Sequence, residues 1–390
     1  MTFLTIFVGT GMVIWMTAWG KGSHDQMIND LVYLNTGHIQ VHEKGFHDNQ
    51  TIDYAFLASE ALMTCIQKNP HISGFSKRIH AGGLISYDEN TAGTLVQAVD
   101  PETEKTVSDI YSRILPGGRY LEKNGKNQIL LGEILAKNLS VSVGDEISLI
   151  SQGFDGSIAA GKFNVTGLFR TSNPEYDRAL TVMSLHEAND MFAMEGYIHS
   201  ICIKVSDIDD LEKVKAELIK ATKGESLEVM GWDTLMPEIV QFIEMDNVSI
   251  YIFDFILLIV VAFTMLNTIQ MTVFERIREF GVMVSIGTRP GQVVSMILYE
   301  SCFISIMGVF LGIFLGWAMS YYFKVNPLDY SEYAKELSSW GISTTVFPTD
   351  ATAKNITMSA LIIFVLTIIF SLFPALKASR LKPVDAIRHL

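Results

Sequence analysis

The chain is poor in cysteine, in charge and in catalytic signatures. Its three cysteines, Cys65, Cys202 and Cys302, are too few for a disulfide scaffold or a four-cysteine zinc site. Charged residues make up 18% of the 390 positions, against about 25% in an ordinary soluble domain, so part of the chain is suited to lipid. Basic side chains are outnumbered, 29 Lys and Arg against 42 Asp and Glu, giving a net charge of −13. Nucleic-acid binding, which sets clustered Lys and Arg against phosphate, is disfavoured on that ground. No G-x-x-x-x-G-K-[ST] occurs, and Gly161-Lys162-Phe163 carries no hydroxyl residue after its lysine, so ATP binding through a P-loop is excluded. H-E-x-x-H and G-x-S-x-G are also missing. The chain is read as non-enzymatic, with no cofactor and no metal of its own.

What is present is apolar sequence in long runs. Residues 1–20, Phe255–Phe274 and Asn355–Leu376 contain no charge, and Gly291–Phe323 contains only Glu300. Each reaches the roughly 20 apolar residues needed to cross a bilayer, so four spans are expected. The first is read as a retained anchor over a cleaved signal, because no Lys or Arg precedes it and no A-x-A-like site follows. Gly9 and Gly11 suit close helix packing in lipid. Residues 273–292 carry a net +1 and 377–390 a net +3, whereas 21–247 carry 19 basic and 33 acidic side chains, a net −14. Short basic segments stay in the cytoplasm, which puts 273–292 and the C-terminus inside and 21–247 and 324–354 outside.

The expected layout is therefore a first span at 1–20, an extracytoplasmic mixed α/β domain at 21–247 ending in a stalk helix, and a second span at 248–272. A cytoplasmic segment at 273–292, a third span at 293–323, an external loop at 324–354, a fourth span at 355–376 and a tail at 377–390 follow. Within the large domain, strand-like Ile198–Val205, helical Asp207–Thr222 and strand-like Leu227–Met230 form one unit. A helix over Tyr54–Lys68 beside strand-like Thr94–Val99 forms another, which points to a split sheet covered by helices on one face. Gly144-Asp145 reads as a turn between strands Leu139–Val143 and Glu146–Ile150, and polar Ser151–Lys162 as a long protruding loop before strand Phe163–Phe169. Gln152, Phe154 and Asp155 sit at its tip, either as a binding loop or as an ordinary exposed one. From about Met236 to Thr272 nothing breaks a helix, and at 1.5 Å per residue it reaches roughly 55 Å, so part of it stands outside the bilayer.

Few residues offer other chemistry. His38 and His42, with Glu43 and His47 near them, are the closest approach to a metal-binding group, but ordinary surface histidines are the favoured reading. Glu300 is the clear ionisable group inside a span; pairing with Arg289 or another basic residue at the cytoplasmic interface is favoured over a proton or substrate role. Cys65 and Cys202 either bridge outside the membrane or stay as free thiols.

The strongest signal is in the last third. Phe274-Glu275-Arg276-Ile277-Arg278-Glu279-Phe280-Gly281-Val282-Met283-Val284-Ser285-Ile286-Gly287 resembles the "ER.rEfG.lrAiG" segment of FtsX/MacB-type ABC transporter permeases. The stretch Pro374-Ala375-Leu376-Lys377-Ala378-Ser379-Arg380-Leu381-Lys382-Pro383-Val384-Asp385-Ala386-Ile387-Arg388 is similar to their "PA..A..l.PvdAlR" ending. Gly132-Glu133-Ile134-Leu135-Ala136-Lys137-Asn138-Leu139 followed by Val143-Gly144-Asp145 is similar to "G..lA..L.v.vGD" of MacB-like periplasmic domains. Thr36–Val41 and Gly153–Phe169 look most like the lipoprotein-releasing, Lol-type permeases.

The resemblance implies a bacterial inner-membrane half-transporter of four transmembrane helices with a large MacB-like periplasmic domain, paired with a second copy or homologue. ATP and Mg would be held by a separate cytoplasmic ABC ATPase dimer. It casts 273–292 as a coupling helix, with Phe280 and Val284 entering an apolar groove, Glu275, Arg276, Arg278 and Glu279 at its rim, and Gly281 and Gly287 permitting close approach and a helix stop. Around Ser151–Lys162 it implies a hook for a periplasmic carrier, although no residue pattern specific to such a hook is matched there. Family members usually open on a basic cytoplasmic helix before the first span, whereas this sequence opens directly on Met1-Thr2-Phe3, which is read either as a truncated start or as a missing helix. The implied work is mechanical: motion driven by ATP is carried to the periplasmic domain to release lipoproteins from the membrane. Efflux of a peptide, toxin or drug with an adaptor, and control of a cell-wall hydrolase, are the alternatives.

Overall fold

A computed structural model of the chain describes residues 2–32, 36–123, 125–171, 173–333, 336 and 345–379. It divides into a helical unit within Met1–Gln26, Gln241–Ser331 and Val346–Leu390 and an α/β unit within Met27–Val240. Helix α1, Thr2–Leu31, opens the chain and runs past the expected boundary at residue 20.

The α/β unit is built on nine strands: β1 Ile39–Glu43, β2 Ile72–Tyr87, β3 Asn90–Val99, β4 Gln128–Gly132, β5 Glu146–Gln152, β6 Ile158–Phe169, β7 Leu180–Ser184, β8 Ser200–Val205 and β9 Leu227–Gly231. Their order is β3-β7-β4-β6-β5-β2-β8-β1-β9, and β2 pairs with β3 as well. Six strands thus close into a ring, from which β8, β1 and β9 extend as a wing. Strand β2 serves both because it is long, pairing with β8 over 72–78 and with β3 over 78–87. Closure leaves the ring without the free edges that invite mispairing.

Helices α2, Glu60–Lys68, and α7, Leu211–Ala221, belong to the wing. Helix α2 packs on α7 and β2, and α7 on β9. They bury Leu62 and Ile66, and Leu211, Val214 and Leu218, at the spacing of one helix face. Four short helices, α3 Pro101–Glu104, α4 Glu133–Leu139, α5 Pro174–Ala179 and α6 Leu185–Met191, accompany the ring strands, and α8, Trp232–Leu235, follows β9.

Three local expectations change. The helix expected from Tyr54 starts at Glu60, because Ser59 caps it by accepting from Leu62 N–H, while Phe56 forms a β-bridge with Ile198. It lies against α7 and β2, and the neighbours of β3 are β2 and β7. Leu139–Val143 is not a strand: Leu139 ends α4, and Ser140 turns the chain with a left-handed φ of 60°.

The long loop at Ser151–Lys162 is replaced by strand. Strands β5 and β6 pair from Glu146↔Asn164 to Gln152↔Ile158, leaving only 153–157 as a turn. Gly156 precedes Gly161 at P-loop spacing, but this hairpin lacks the strand-to-helix geometry that cradles a phosphate.

Polar groups are deeply buried where the ring meets the wing. Arg78 Nη2 donates to Glu104 Oε1 at 2.6 Å and Nε to Oε2 at 3.2 Å, with side-chain exposures of 0% and 2%. Phe46 lies 5.5–5.8 Å, ring to ring, from His42, His80 and His199. His38 and His42 are buried, contrary to the surface reading. Burial and Lys204 push His38 down to about 4, and burial pushes His199 to about 4. The geometry agrees: His199 Nδ1 accepts from His80 N–H at 3.1 Å, and its Nε2–H faces the Ile52 carbonyl at 3.1 Å, so a second ring proton has no acceptor. Among the described residues no group of three His, Cys, Asp or Glu side chains is arranged to hold a metal. Cys65 and Cys202 are free thiols.

Helices α9 Pro237–Glu275, α10 Ile277–Ser285, α11 Pro290–Val325 and α12 Ala353–Ser379 follow among the described residues, with short strands β10 Leu328–Asp329 and β11 Val346–Phe347 between the last two. Among the described residues four helices are long and apolar enough to cross a membrane: Thr2–Ile28, Pro237–Glu275, Pro290–Val325 and Ala353–Ser379. The 39 residues of α9 span roughly 58 Å at 1.5 Å per residue.

Helices α1 and α11 approach through small residues. A Cβ at Gly308, Gly312 or Gly316 would fall 2.5–2.7 Å from Ile6, Thr10 or Ile14, and one at Gly11 2.7 Å from Leu315. In lipid such contact replaces the missing hydrophobic drive. At the end of this unit away from α10, Lys21 bonds Asp350 at 3.3 Å, Lys324 bonds Asp350 at 2.8 Å, and His24 meets Asp246 at 2.6 Å.

Two outcomes are expected of the α/β unit. Arg78→Leu strands the Glu104 carboxylate and lowers stability by about 3–5 kcal/mol, most of which Arg78→Leu with Glu104→Leu restores; denaturant melts of the three proteins check this. Because His38 and His199 titrate lower when folded, the unfolded chain takes up protons first as pH falls from about 6.5. Stability is complete above that pH and drops toward pH 4, so thermal melts should fall by about 5 °C or more between about pH 7 and pH 5.

Candidate functional site at the α9–α10 elbow

Helix α9 ends at Glu275 and α10 begins at Ile277, so Arg276 alone makes the bend, at φ −103° and ψ 9°. Its N–H reaches Val273 O at 3.3 Å and its carbonyl accepts from Phe280 N–H at 3.1 Å, which keeps the two helices nearly continuous. Its side chain ties three elements together. Nη1 donates to both Glu300 oxygens, at 3.0 and 2.8 Å, and Nε donates to Glu279 Oε2 at 3.1 Å. The guanidinium also lies 5.5 Å from the Phe280 ring centre. Glu279 and then Glu300 raise the Arg276 pKa further, so the charge is permanent. A cleft of about 50 Å³ opens beside the pair, with Thr272, Ser301 and Thr367 in its lining. The partner of Glu300 is therefore Arg276; Arg289 instead starts α11, its N–H bonded to Gln292 Oε1 at 2.9 Å.

Helix α10 has two faces. Phe280 is 2% exposed and packs with Ile269, Val273, Val293, Ile297 and Ala375. Ile277 and Gly281 are also buried, and Val284 is half-buried against the same cluster. The opposite face carries Glu275 at its start, then Arg278, Glu279, Val282 at 43% and Ile286 at 82% exposure. The expectation that Phe280 and Val284 enter an external groove is thus corrected: they anchor the helix to its own bundle, and Val282 and Ile286 present the apolar surface. Helical spacing separates 277, 280, 281 and 284 from 278, 282 and 286 as two faces, but it is the bundle that decides which of them turns inward.

Gly287 ends the helix. With φ +106° its N–H bonds Val284 O at 3.1 Å, and Thr288 N–H bonds Met283 O at 3.0 Å, the paired bonds of a left-handed helix stop. Of the basic tail, Lys377 lies 5.1 Å from the Phe274 ring centre; Arg380, Lys382 and Arg388 lie outside the described residues.

The residues expected at a loop tip lie in the α/β unit. Gln152 is the exposed last residue of β5. Phe154 bonds Phe192 O through its N–H at 2.7 Å and packs 5.2 Å from the Tyr197 ring, which holds it inward. Asp155 is exposed and caps its own turn, accepting from Ser157 N–H at 3.0 Å. None of the three projects on an extended arm.

A double-mutant cycle tests the elbow. Arg276→Ala and Glu300→Ala should couple by about 1 kcal/mol, as suits half-exposed partners, read from thermal unfolding in detergent; additive effects would remove the clamp.

Residues 1–221 match the MacB-like periplasmic core domain, and residues 251–383 the FtsX-like permease C-terminal. The chain is 24% identical over 330 residues to the lipoprotein-releasing system transmembrane protein LolC of Xylella fastidiosa, covering 82% of this chain and 79% of that one. It is 23% identical over 397 residues to the macrolide export ATP-binding/permease protein MacB of Neisseria gonorrhoeae, covering 99% of this chain and 58% of MacB. The periplasmic region of MacB from Actinobacillus actinomycetemcomitans, a crystal structure, aligns with 55% of this chain and 97% of its own at a TM-score of 0.39 and 14% identity. With one family model spanning more than half of the sequence and the other the helices that follow, the chain belongs to the FtsX/MacB-type family of ABC transporter permeases.

Proposed function

We propose that this chain is the non-catalytic membrane subunit of a mechanically coupled transporter in the bacterial inner membrane, with its α/β unit in the periplasm. It works as a pair with a second copy or homologue, on a separate cytoplasmic ATPase dimer that binds ATP and Mg. The observation that carries this reading is the elbow: a short helix, anchored by Phe280 and clamped by Arg276, that offers Arg278, Glu279, Val282 and Ile286 to a partner at the end of a 39-residue helix. A partner pushing on that face moves α10; the Arg276–Glu300 bonds pass the displacement to α11, and the unbroken backbone passes it along α9. The cargo in this reading is a lipoprotein lifted from the outer leaflet of the inner membrane and handed to a periplasmic carrier.

One observation favours a second cargo. The β5–β6 hairpin closes in a five-residue turn with Phe154 held inward, which offers a carrier little to grasp. Efflux through an adaptor needs no such arm, and it is the alternative.

The decisive measurement is mass spectrometry of everything that copurifies with the detergent-solubilised chain from its native membrane. A P-loop ATPase with a triacylated lipoprotein is the expected result, an adaptor in place of the lipoprotein selects efflux, and the lack of any ATPase overturns the coupling reading. Ile286→Glu, on a side chain 82% exposed, should leave the melting temperature unchanged and lower ATPase recovery by about tenfold.

A further inference from the structure

Strand β6 is longer than the neighbour that closes the ring beside it. On one side β5 pairs with Ile158–Asn164, whereas on the other β4 takes only Asn164–Phe169. The first half of β6 therefore runs past the closed part of the ring, and Asn127, at a left-handed φ of 54°, turns the chain just before Gln128 begins β4. Gly153 N–H bonds Ser157 O at 2.8 Å and Val165 N–H bonds Asp145 O at 2.9 Å. Odd-numbered residues of this stretch thus turn their backbone groups to β5 in the antiparallel alternation. Even-numbered ones turn theirs the other way, as Asn164 does when its N–H bonds Asn127 O at 2.7 Å. The N–H and C=O of Ile158, Ala160 and Lys162 face that second side, where no strand lies beside them among the described residues. A lysine commonly guards such an edge, but Lys162 is drawn to Glu146 on β5 at 2.8 Å. A hollow of about 900 Å³ runs along the open side, between Ala160–Phe163 and the α6 residues Glu187, Asp190 and Met191. Its charges balance, with Lys123, Lys126 and Lys162 against Glu187, Asp190 and the adjoining Glu146, so charge selects no occupant. Part of its floor is apolar: a Cβ at Gly161 would fall 2.9 Å from the Phe163 ring and 3.7 Å from Met191 Sδ.

We propose that this hollow takes an extended segment of a polypeptide partner, which adds to the open side of β6 as a further strand. The occupant follows from the unpaired backbone. Ile158, Ala160 and Lys162 each present a donor and an acceptor together, repeating about every 6.8 Å along the strand. Another extended backbone matches that repeat, whereas a lipid headgroup or a small anion gathers its donors at one point. Strand addition draws affinity from main-chain bonds and selectivity from alternate side chains. Every second side chain of the segment meets the floor made by Phe163 and Met191, so the fitting sequence alternates apolar with polar residues. It is the edge of the hairpin that binds, not its turn. The proposal is independent of the elbow, since every residue belongs to the α/β unit and binding requires no ATP.

The test uses the full chain in nanodiscs of zwitterionic lipid and a short fluorescent peptide alternating Val with Thr, N-methylated along one edge so that it cannot stack into fibrils. Binding is followed by anisotropy and by hydrogen exchange resolved to single amides. Saturable binding is expected, slowing exchange at Ile158, Ala160 and Lys162 and leaving Gly161 and Phe163, already bonded to β5, unchanged. The same peptide N-methylated along both edges should not bind. Ala160→Pro removes an N–H that β5 does not use, so it should leave the melting temperature within about 2 °C and weaken binding about tenfold or more. Raising salt from about 50 to about 300 mM should change the affinity less than about twofold, since no net charge is read. Equal binding of the two peptides, protection at β9, the open end of the wing, in place of β6, or loss of binding in high salt would each overturn the proposal. So would no binding at about 1 mM peptide, or binding indifferent to Ala160→Pro. If that variant melts early, the exchange pattern and the doubly methylated peptide decide on the wild-type chain.

Discussion

The guanidinium of Arg276 is the constraint on which the helical unit depends. Backbone bonds across Arg276 join the two helices but leave its two dihedrals some freedom to change the angle between them. Bonds from one planar group to Glu279 and Glu300, with Phe280 buried beneath, remove that freedom. Each ion pair is partly exposed and by itself contributes about 0–1 kcal/mol. Their effect is geometric: α10 cannot swing without carrying Glu300 on α11 or giving up two hydrogen bonds to it. Lysine, a point charge on a flexible stem, would meet the same acids without fixing the angle.

A rigid elbow transmits force only if the helices behind it are braced. Gly308, Gly312 and Gly316 bring α11 so near α1 that a methyl group at any of them would collide with Ile6, Thr10 or Ile14. Gly9 does the same between α1 and α9, where a Cβ would fall 2.9 Å from Val261. At the far end the charged side chains of α1, α9 and α11 meet one another and Asp350. Apolar contact fills the middle of the bundle and ion pairs its ends, which is the distribution that a low-dielectric slab bounded by water selects.

The sequence made the four spans, the long α9 and the coupling segment legible because each rests on local information: a run of apolar residues, a missing helix breaker, a family motif. It was less informative about direction. Phe280 and Val284 are the natural apolar candidates in that motif, and only the bundle beneath them, Ile269, Val273, Val293 and Ala375, decides that they face inward and leaves Ile286 outside. Ser151–Lys162 failed for a different reason. Its Gly, Ser and Asp residues have weak strand propensity, yet pairing with β5 along the whole hairpin overrides it. The ring closure was invisible because it depends on β2 using both edges, a non-local property of a sixteen-residue strand.

That same strand shows why polar groups are retained inside the α/β unit. At Arg78, β2 is paired on one side with Val99 and on the other with Ser200, so this residue stands where ring and wing diverge. An apolar side chain there would pack nearly as well after a register slip, because aliphatic contacts carry little direction. A buried guanidinium does not have that latitude. Moving β2 by one residue turns Arg78 to the opposite face, away from Glu104, and leaves two buried charges without partners. The nearby histidines add the same demand, since His199 must accept from the His80 amide and donate to the Ile52 carbonyl at once. Such a network contributes little net stability over a hydrophobic replacement, but it makes the wrong pairings costly. At the one position where two sheets share a strand, that penalty fixes which residues belong to the ring and which to the wing.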